Sequence, residues 1–509
     1  MISEEFILIS LLIILGGTAI QDYFEELTFL EAALIGTTGA SAIVIIIALA
    51  YEFMSKSAKE RRKRTERWTE IPKTLTCPSG HSVFVGQDED LKSKLYMPDA
   101  IRRRHVHILG ATGSGKTESV ILNFLRQDVQ RKLGSIILDA KGDASFLHAL
   151  RSFVPADRLR VFDLGSAESA SYDPLSSGSG LESAQRLFSA LTWSEEYYKS
   201  KAFSTVQRLF QAHWEATRKS SLQDPPEGKN PTIADLDHYL DDPVVFSRLV
   251  KSETYPESMA KQDFKELSGL RDQIRTLCTG YLDKILSPEG GGDIDLAQAK
   301  SGTVIYFRLQ SLMSPQLVGA VGKLLINHLS YLAGVAHRDT TTDNRTPPFV
   351  PIYLDEFASF ACPEFADLIS KARSAGLALH FSHQSVGDVA EVSEGFLNRI
   401  TDNAGTKIVL RISDPDSAEF FARSFGTKLY TKVTQKLNRA EDIDDLELSG
   451  EGSSREAHRF RASPDLLKTL PTGMGAVLIA HGEDTPEGAS HVFRVRFPRW
   501  DVVNNEKPC

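Results

Sequence analysis

The octapeptide Gly110-Ala111-Thr112-Gly113-Ser114-Gly115-Lys116-Thr117 fits the pattern G-x-x-x-x-G-K-[ST]. Glycines at this spacing let backbone N–H groups close on phosphate oxygens. A lysine in the seventh place reaches the β/γ oxygens, and the hydroxyl after it is a Mg²⁺ ligand. A second group ends the apolar run Phe349-Val-Pro-Ile-Tyr-Leu354 with Asp355-Glu356. In such a Walker B arrangement Asp355 would orient the Mg²⁺ shell and Glu356 would polarise the attacking water, because phosphoryl transfer depends mostly on positioning and charge stabilisation. Taken alone, Asp-Glu after an apolar run is also how many helices are capped; downstream of a P-loop the catalytic reading gains weight. Gln384 lies beyond the next apolar run and could sense the γ-phosphate, an ordinary loop amide being the alternative. These residues imply ATP and Mg²⁺ as cofactors.

Such residues work only if strands and helices hold them. His105–Leu109 is a short apolar strand entering the P-loop, and a helix is expected from Glu118 to about Arg131, apolar at Val120, Ile121, Phe124 and Leu125. Its positive N-terminal end would face the phosphates. Ser82–Gly86, Gly134–Asp139, Arg160–Asp163, Gly302–Leu309, Phe349–Leu354, Leu377–Phe381 and Lys407–Arg411 read as further strands. Asp139 stands at a strand end, the edge where α/β sheets place ligands. Pro351 is awkward in a central strand and tolerable near its beginning. Between about Gly180 and Gly292 the strand signal stops; Phe264, Leu267, Leu270, Ile274, Leu277 and Tyr281 recur at steps of three and four, an amphipathic helix. Ser314-Pro315 opens another helix, with a cap residue followed by proline at the first helical position. His337–Pro348 reads as a polar loop, residues 427–460 as a polar, acidic, mobile excursion, and Ala476–Ile479 with His491–Phe497 as a closing hairpin.

Residues 6–21 and 32–51 carry no charge. The second run is long enough to cross about 30 Å of hydrocarbon at 1.5 Å per residue; the first is slightly short, with a buried or interfacial helix as its alternative. No Lys or Arg precedes the first run, which argues against a cleaved leader. Asp22, Glu25 and Glu26 connect the two, and Lys56, Lys59, Arg61, Arg62, Lys63, Arg64 and Arg67 follow the second. By the positive-inside rule the basic end faces the cytoplasm, giving a hairpin with both termini inside. The 509 residues leave room for two or three domains, and a net charge of −9 gives no whole-chain sign of nucleic acid, although a local basic channel can hide within an acidic total. Cys77, Cys278, Cys362 and Cys509 form no C-x-x-C pair, so free thiols are expected rather than disulfides or a metal site.

Together these pieces resemble the coupling proteins of type IV secretion and conjugation, the TraG/TraD group of membrane-anchored DNA pumps. The match rests on the transmembrane hairpin, Arg104-His-Val-His-Ile-Leu-Gly-Ala-Thr-Gly-Ser-Gly-Lys-Thr117, Leu138-Asp-Ala-Lys-Gly-Asp143, the helical insertion, Leu354-Asp-Glu-Phe-Ala-Ser359, and Lys371-Ala-Arg-Ser-Ala-Gly376 followed by Gln384-Ser385. The resemblance implies a RecA-like P-loop ATPase of the α/β class with a mixed, mainly parallel sheet, an all-α insertion implicated in substrate recognition, and a two-helix transmembrane anchor. It implies a homo-hexamer at the bacterial inner membrane, its bulk cytoplasmic. Such a hexamer receives relaxase-bound single-stranded DNA from the relaxosome and drives it into a type IV secretion channel. It also implies Arg373 as an arginine finger reaching a neighbour's ATP and Arg104 as a nucleotide-site arginine. The chain then divides into 1–55, the anchor; 56–104, a basic juxtamembrane lead-in; 105–179, the first part of the nucleotide-binding domain; 180–298, the insertion; and 299–509, the second part. Little follows residue 497, where some relatives carry a recruiting tail, which leaves cargo docking open. Rival readings are a chromosome-segregation-type double-stranded DNA translocase, a secretion ATPase that moves or assembles protein without DNA, and a docking receptor whose ATP site is structural.

Overall fold

The computed structural model describes residues 73–499 apart from 77–78, 194, 222–227, 252–255, 344–346, 394, 440–445 and 480–490. Both expected membrane runs lie outside the described residues. The strands are β1 (Ser82–Asp88), β2 (Lys94–Pro98), β3 (Val106–Leu109), β4 (Ser135–Asp139), β5 (Leu159–Asp163), β6 (Val304–Arg308), β7 (Val350–Asp355), β8 (Leu377–His383), β9 (Thr406–Val409), β10 (Thr427–Arg439), β11 (Leu446–Phe460), β12 (Met474–Ile479) and β13 (His491–Arg496). Eleven of them form one sheet in the order β2-β1-β13-β12-β9-β3-β8-β7-β4-β6-β5. From β9 to β5 every neighbouring pair is parallel, and β12, β13, β1 and β2 extend the sheet antiparallel. The sheet is therefore mixed and mainly parallel, as the sequence implied.

Every residue of β3, β4, β7, β8 and β9 is buried. Helices cover both faces of a parallel sheet, so its strands read as unbroken apolar runs rather than alternating ones. Pro351 sits second in β7, and the β4–β7 ladder starts only at Ile352, so the ring falls at the strand's edge.

The helices between Gly180 and Leu286 pack into the same hydrophobic core as the sheet: Leu187, Leu209 and Phe210 belong to one buried cluster with Ile136, Phe307 and Leu354. The single amphipathic helix expected over 264–281 is instead two pieces, Glu257–Glu266 and Ser268–Cys278, with a further short helix at Leu282–Leu286. The helical course stops at Leu267, just before Ser268-Gly269, where poor helix formers meet. The loop expected from His337 is also corrected, because the helix from Pro315 continues to Asp343. Part of this helix, Pro315–Arg338, is the one segment among the described residues long and apolar enough to cross a membrane. Val318, Val321, Leu324, Leu325, Ile326 and Leu329 are fully buried and it packs on Gly180–Ala190 and Pro363–Lys371, so its apolarity serves the core. Residues 427–460, expected to be a loop-like excursion, pair as the antiparallel ribbon β10–β11, and β2 was not foreseen.

A buried ionic cluster ties the lead-in to β3 to the middle of β7 and β8. Arg102, on the short helix Asp99–Arg102, donates to both carboxylate oxygens of Asp128 at 2.7 and 2.8 Å, to Tyr353 of β7 at 2.9 Å and to His380 of β8 at 3.1 Å. Arg131 closes the cluster on Asp128 and Asp99. Removing one partner of a fully buried pair leaves a charge uncompensated, at a cost of about 3–5 kcal/mol, whereas an apolar replacement of the pair is often nearly neutral. We expect Asp128→Ala to lower the thermal midpoint of the purified chain sharply and the double change Asp128→Ala/Arg102→Leu to recover part of the loss. A single variant as stable as the wild type contradicts this account of the cluster.

Candidate active site

Parallel strands place their C-terminal ends on one edge of the sheet. β3 ends there at Leu109 and runs into the P-loop, β7 ends in Asp355, and β8 leads to Gln384, with β8 lying between β3 and β7. The geometry brings Lys116, Thr117, Asp355, Glu356 and Gln384 together. Thr117 Oγ1 donates to Asp355 Oδ2 at 2.7 Å. Gln384 bridges the two motifs: its amide nitrogen donates to Glu356 Oε1 at 3.1 Å and its carbonyl accepts from Thr112 Oγ1 at 2.8 Å.

The loop itself is shaped by glycine. A Cβ at Gly110 would stand 2.6 Å from Ser114 Oγ, and Gly115, at φ +100°, caps a helix whose first turn, Lys116–Ile121, is wound wide as a π turn before the α-helix Leu122–Gln130. Ala111 N–H donates to the Arg411 carbonyl, and Gly473 N–H to the Ser114 carbonyl at 3.1 Å, so β9 and the lead-in to β12 brace the loop from outside. Within it, Ser114 Oγ is buried without a hydrogen-bond partner and Gly113 has φ +72°.

Lys116 Nζ donates to the Gly110 carbonyl at 2.5 Å and stands 4.0 Å from Glu356 Oε1. Burial lowers the lysine pKa, with Glu356 and Asp355 opposing that shift. Burial raises the Glu356 pKa, Lys116 opposes this, and Asp355 adds to it. Glu356 also adopts φ +50°, a left-handed conformation that costs a non-glycine residue about 1–3 kcal/mol and recurs at functional sites. Lys116 bonded only to a backbone carbonyl, an unpartnered Ser114 hydroxyl and the Thr117–Asp355 pair together form a donor set that fits a triphosphate with Mg²⁺.

One contributor was not singled out in the sequence. Ser382 donates to Asp355 Oδ1 at 2.5 Å and so fixes the carboxylate from the β8 side; a polar residue closing an apolar strand was the available signal. Asp139, noted in the sequence as a strand-end carboxylate, pairs in register with Asp355 and accepts from Gly142 N–H and Tyr306 Oη–H; burial first, then the Asp355 charge, pushes its pKa up to about 6.

Arg104 and Arg373 are not brought to this chain's own P-loop. Arg104 precedes β3 and Arg373 precedes β8, so both lie at the N-terminal edge of the sheet. Seven residues of β8, about 23 Å at 3.3 Å each, separate that edge from Gln384. The direction of β3 leads the chain from Arg104 to the P-loop at the opposite edge of the sheet. Arg373 is exposed and makes no ion pair among the described residues; Asp367, its candidate partner on the preceding helix, binds Arg399 at 2.8 Å. His105, between the two arginines, has its pKa pushed down to about 4, by burial first and in the same direction by Arg373.

If Lys116 is the phosphate cation, Lys116→Ala should abolish nucleotide binding. Glu356→Gln should bind nearly as the wild type does yet turn over about 10²–10⁴-fold more slowly, the usual worth of a positioned base. Fluorescent-nucleotide titration and phosphate release separate the two, and near-normal turnover in Glu356→Gln contradicts its part in the site.

Comparison with known proteins agrees with this architecture. A family model described as the type IV secretion-system coupling protein DNA-binding domain matches residues 92–244, and one described as the TraM recognition site of TraD and TraG matches residues 350–471. Between them they span more than half the chain. The type 4 coupling protein DotL of Legionella pneumophila is 23% identical over 474 residues; these are 81% of this chain, and the chain spans 58% of the length of that relative. Among solved structures, the unbound bacterial conjugative coupling protein TrwBdeltaN70 aligns over 84% of this chain and 90% of its own at TM-score 0.60 and 14% identity. The plasmid coupling protein TrwB in complex with ADP and Mg²⁺ aligns over 84% and 91% at TM-score 0.58 and 14% identity. VirB4 of Thermoanaerobacter pseudethanolicus aligns over 83% and 97% at TM-score 0.51 and 14% identity. Two family models in chain order, a relative matched along most of the chain and a shared P-loop ATPase fold converge on one assignment: the chain belongs to the type IV coupling proteins.

Proposed function

We propose that this protein is an ATP-driven DNA translocase that takes relaxase-bound single-stranded DNA from the relaxosome and passes it to a type IV secretion channel. The observation that carries the reading is the division of charge between the two sheet edges. Lys116, Thr117, Asp355, Glu356 and Gln384 converge at one edge, while Arg104 and Arg373 stand unshared with them at the other. A chain built this way has a complete site only when a second copy presents its arginine edge, as in a closed ring of identical subunits; a homo-hexamer is the assembly we infer.

Mg²⁺·ATP would supply the phosphoryl group and a metal to neutralise charge on its oxygens. Thr117 and Asp355 would hold the metal, with Ser382 fixing Asp355. Lys116 would leave the Gly110 carbonyl for the β/γ oxygens. Glu356, turned by its left-handed backbone, would accept a proton from the attacking water, and Gln384, tied to Glu356 and Thr112, would register whether the γ position is filled. Arg373, and Arg104 beside it, would meet the charge developing at the neighbour's γ-phosphate. Residues 1–55 would anchor the assembly in the bacterial inner membrane with the bulk of the chain cytoplasmic, and the 180–298 region would meet the substrate.

Phosphate release by the full chain in detergent, with and without single-stranded DNA, tests the function. We expect a several-fold rise in turnover on adding DNA. Turnover indifferent to DNA favours a secretion ATPase that moves protein, and a chain that binds ATP without hydrolysing it favours a docking receptor; either overturns the DNA-pump reading.

A further inference from the structure

The chain is acidic, with a net charge of −9, yet one face of the β10–β11 ribbon is basic. Antiparallel pairing sets Lys428 directly opposite Arg459 and Lys432 opposite Arg455, with Tyr430 opposite Ala457 between them. The register is unbroken from Thr427 to Gln435 and faces alternate with period two, so these six positions share one face. Thr434 opposite Ser453 continues it, and no carboxylate falls on that face over this length; Glu456, opposite Thr431, is on the other side. Lys428, Tyr430, Arg455 and Arg459 are exposed, and the three cations among them have no ion pair among the described residues. Like charges directly opposite each other destabilise an antiparallel pair. The exposed Lys428–Arg459 pair works against the ribbon itself, and an external anion removes the conflict.

We infer that this face of the ribbon binds the backbone of single-stranded DNA, with a base stacked on Tyr430. The assignment rests on the DNA-pump reading and lies outside residues 92–244, the stretch matched as a DNA-binding domain. Four residues of strand separate the two cation pairs by about 13 Å, far enough for each pair to meet a different phosphate of one unpaired strand. An aromatic ring between cations is the arrangement that holds unpaired strands without regard to sequence. A duplex keeps its bases stacked inside and offers Tyr430 nothing. A lipid surface wants cations and apolar side chains on the same side, whereas Leu429 and Val433 fall on the opposite face.

The test is fluorescence anisotropy of a labelled oligothymidine with the full chain in detergent, titrated over a range of salt. Each phosphate contact on a single strand contributes about 0.7 to the slope of log affinity against log salt. The variant Lys428→Gln/Lys432→Gln/Arg455→Gln/Arg459→Gln should therefore show a slope shallower by about 2.8, and Lys428→Gln/Arg459→Gln one shallower by about 1.4. Tyr430→Ala should bind about 5–150-fold more weakly with the slope unchanged. Relief of repulsion predicts that neither charge variant melts below the wild type. A folded quadruple variant with the wild-type slope overturns the assignment. So does a loss confined to duplex DNA, to phosphatidylglycerol vesicles or to an acidic protein partner. If the wild type itself binds no oligonucleotide, the DNA-pump reading falls with it; if it binds and the variants bind equally, only the ribbon assignment falls.

Discussion

A parallel sheet has two unlike edges, and the rest of this molecule follows from which residues occupy each. Every strand from β9 to β5 ends its C-terminus on the same side, so the P-loop, Asp355-Glu356 and the Ser382–Gln384 turn meet without any long excursion of chain. The same rule sends Arg104 and Arg373 to the other edge, a strand's length away. No rotamer change of a single side chain bridges that distance. The sheet thus separates the residues proposed to hold Mg²⁺ and activate water from the cations that would neutralise the charge that develops, and the proposed ring of subunits would bring them together.

Each edge has its own means of support. At the C-terminal edge the contacts are few and directional: Thr117 and Ser382 on Asp355, Gln384 between Glu356 and Thr112, Lys116 on a backbone carbonyl. Burial moves Lys116 and Glu356 each towards neutrality, and carboxylates at 139 and 355 sit side by side. Such a set gains from a bound cation and bound phosphates. At the N-terminal edge Arg102 is sealed among Asp128, Tyr353 and His380, which fixes the short helix whose end leads directly to Arg103 and Arg104. Half-buried Arg103 and Arg104 and exposed Arg373 on such an edge suit the proposed contact between subunits, where the partner must arrive at a set distance.

Much of this was legible in the sequence because it depends on local pattern. Apolar runs ending in Gly or Asp mark strands of a covered parallel sheet, and the spacing of Gly110, Gly115, Lys116 and Thr117 marks the loop. What escaped depends on contacts between distant residues. Nothing within 264–281 announces that packing divides the helix at Leu267, and nothing in the polar composition after His337 announces that the helix runs on to Asp343. Arg104 was implied by the family resemblance alone, and the extended β3 sets it a strand's length from Gly110. The β10–β11 ribbon was hidden by its composition: acidic and basic residues nearly cancel over 427–460, while the register gathers cations at its base on one face.

The central claim is that the catalytic site is divided between the two edges and completed by a neighbour. Co-assembly of Arg373→Ala with Glu356→Gln tests it most directly. A finger supplied in trans is worth about 10³–10⁵ in rate, so each variant alone should be nearly inactive. In an equal mixture, about one interface in four joins an intact Glu356 to an intact Arg373 from the adjoining subunit, and phosphate release should return to a measurable fraction of the wild-type rate. A mixture that stays inactive despite demonstrated co-assembly, or an Arg373→Ala protein that is fully active alone, contradicts the account.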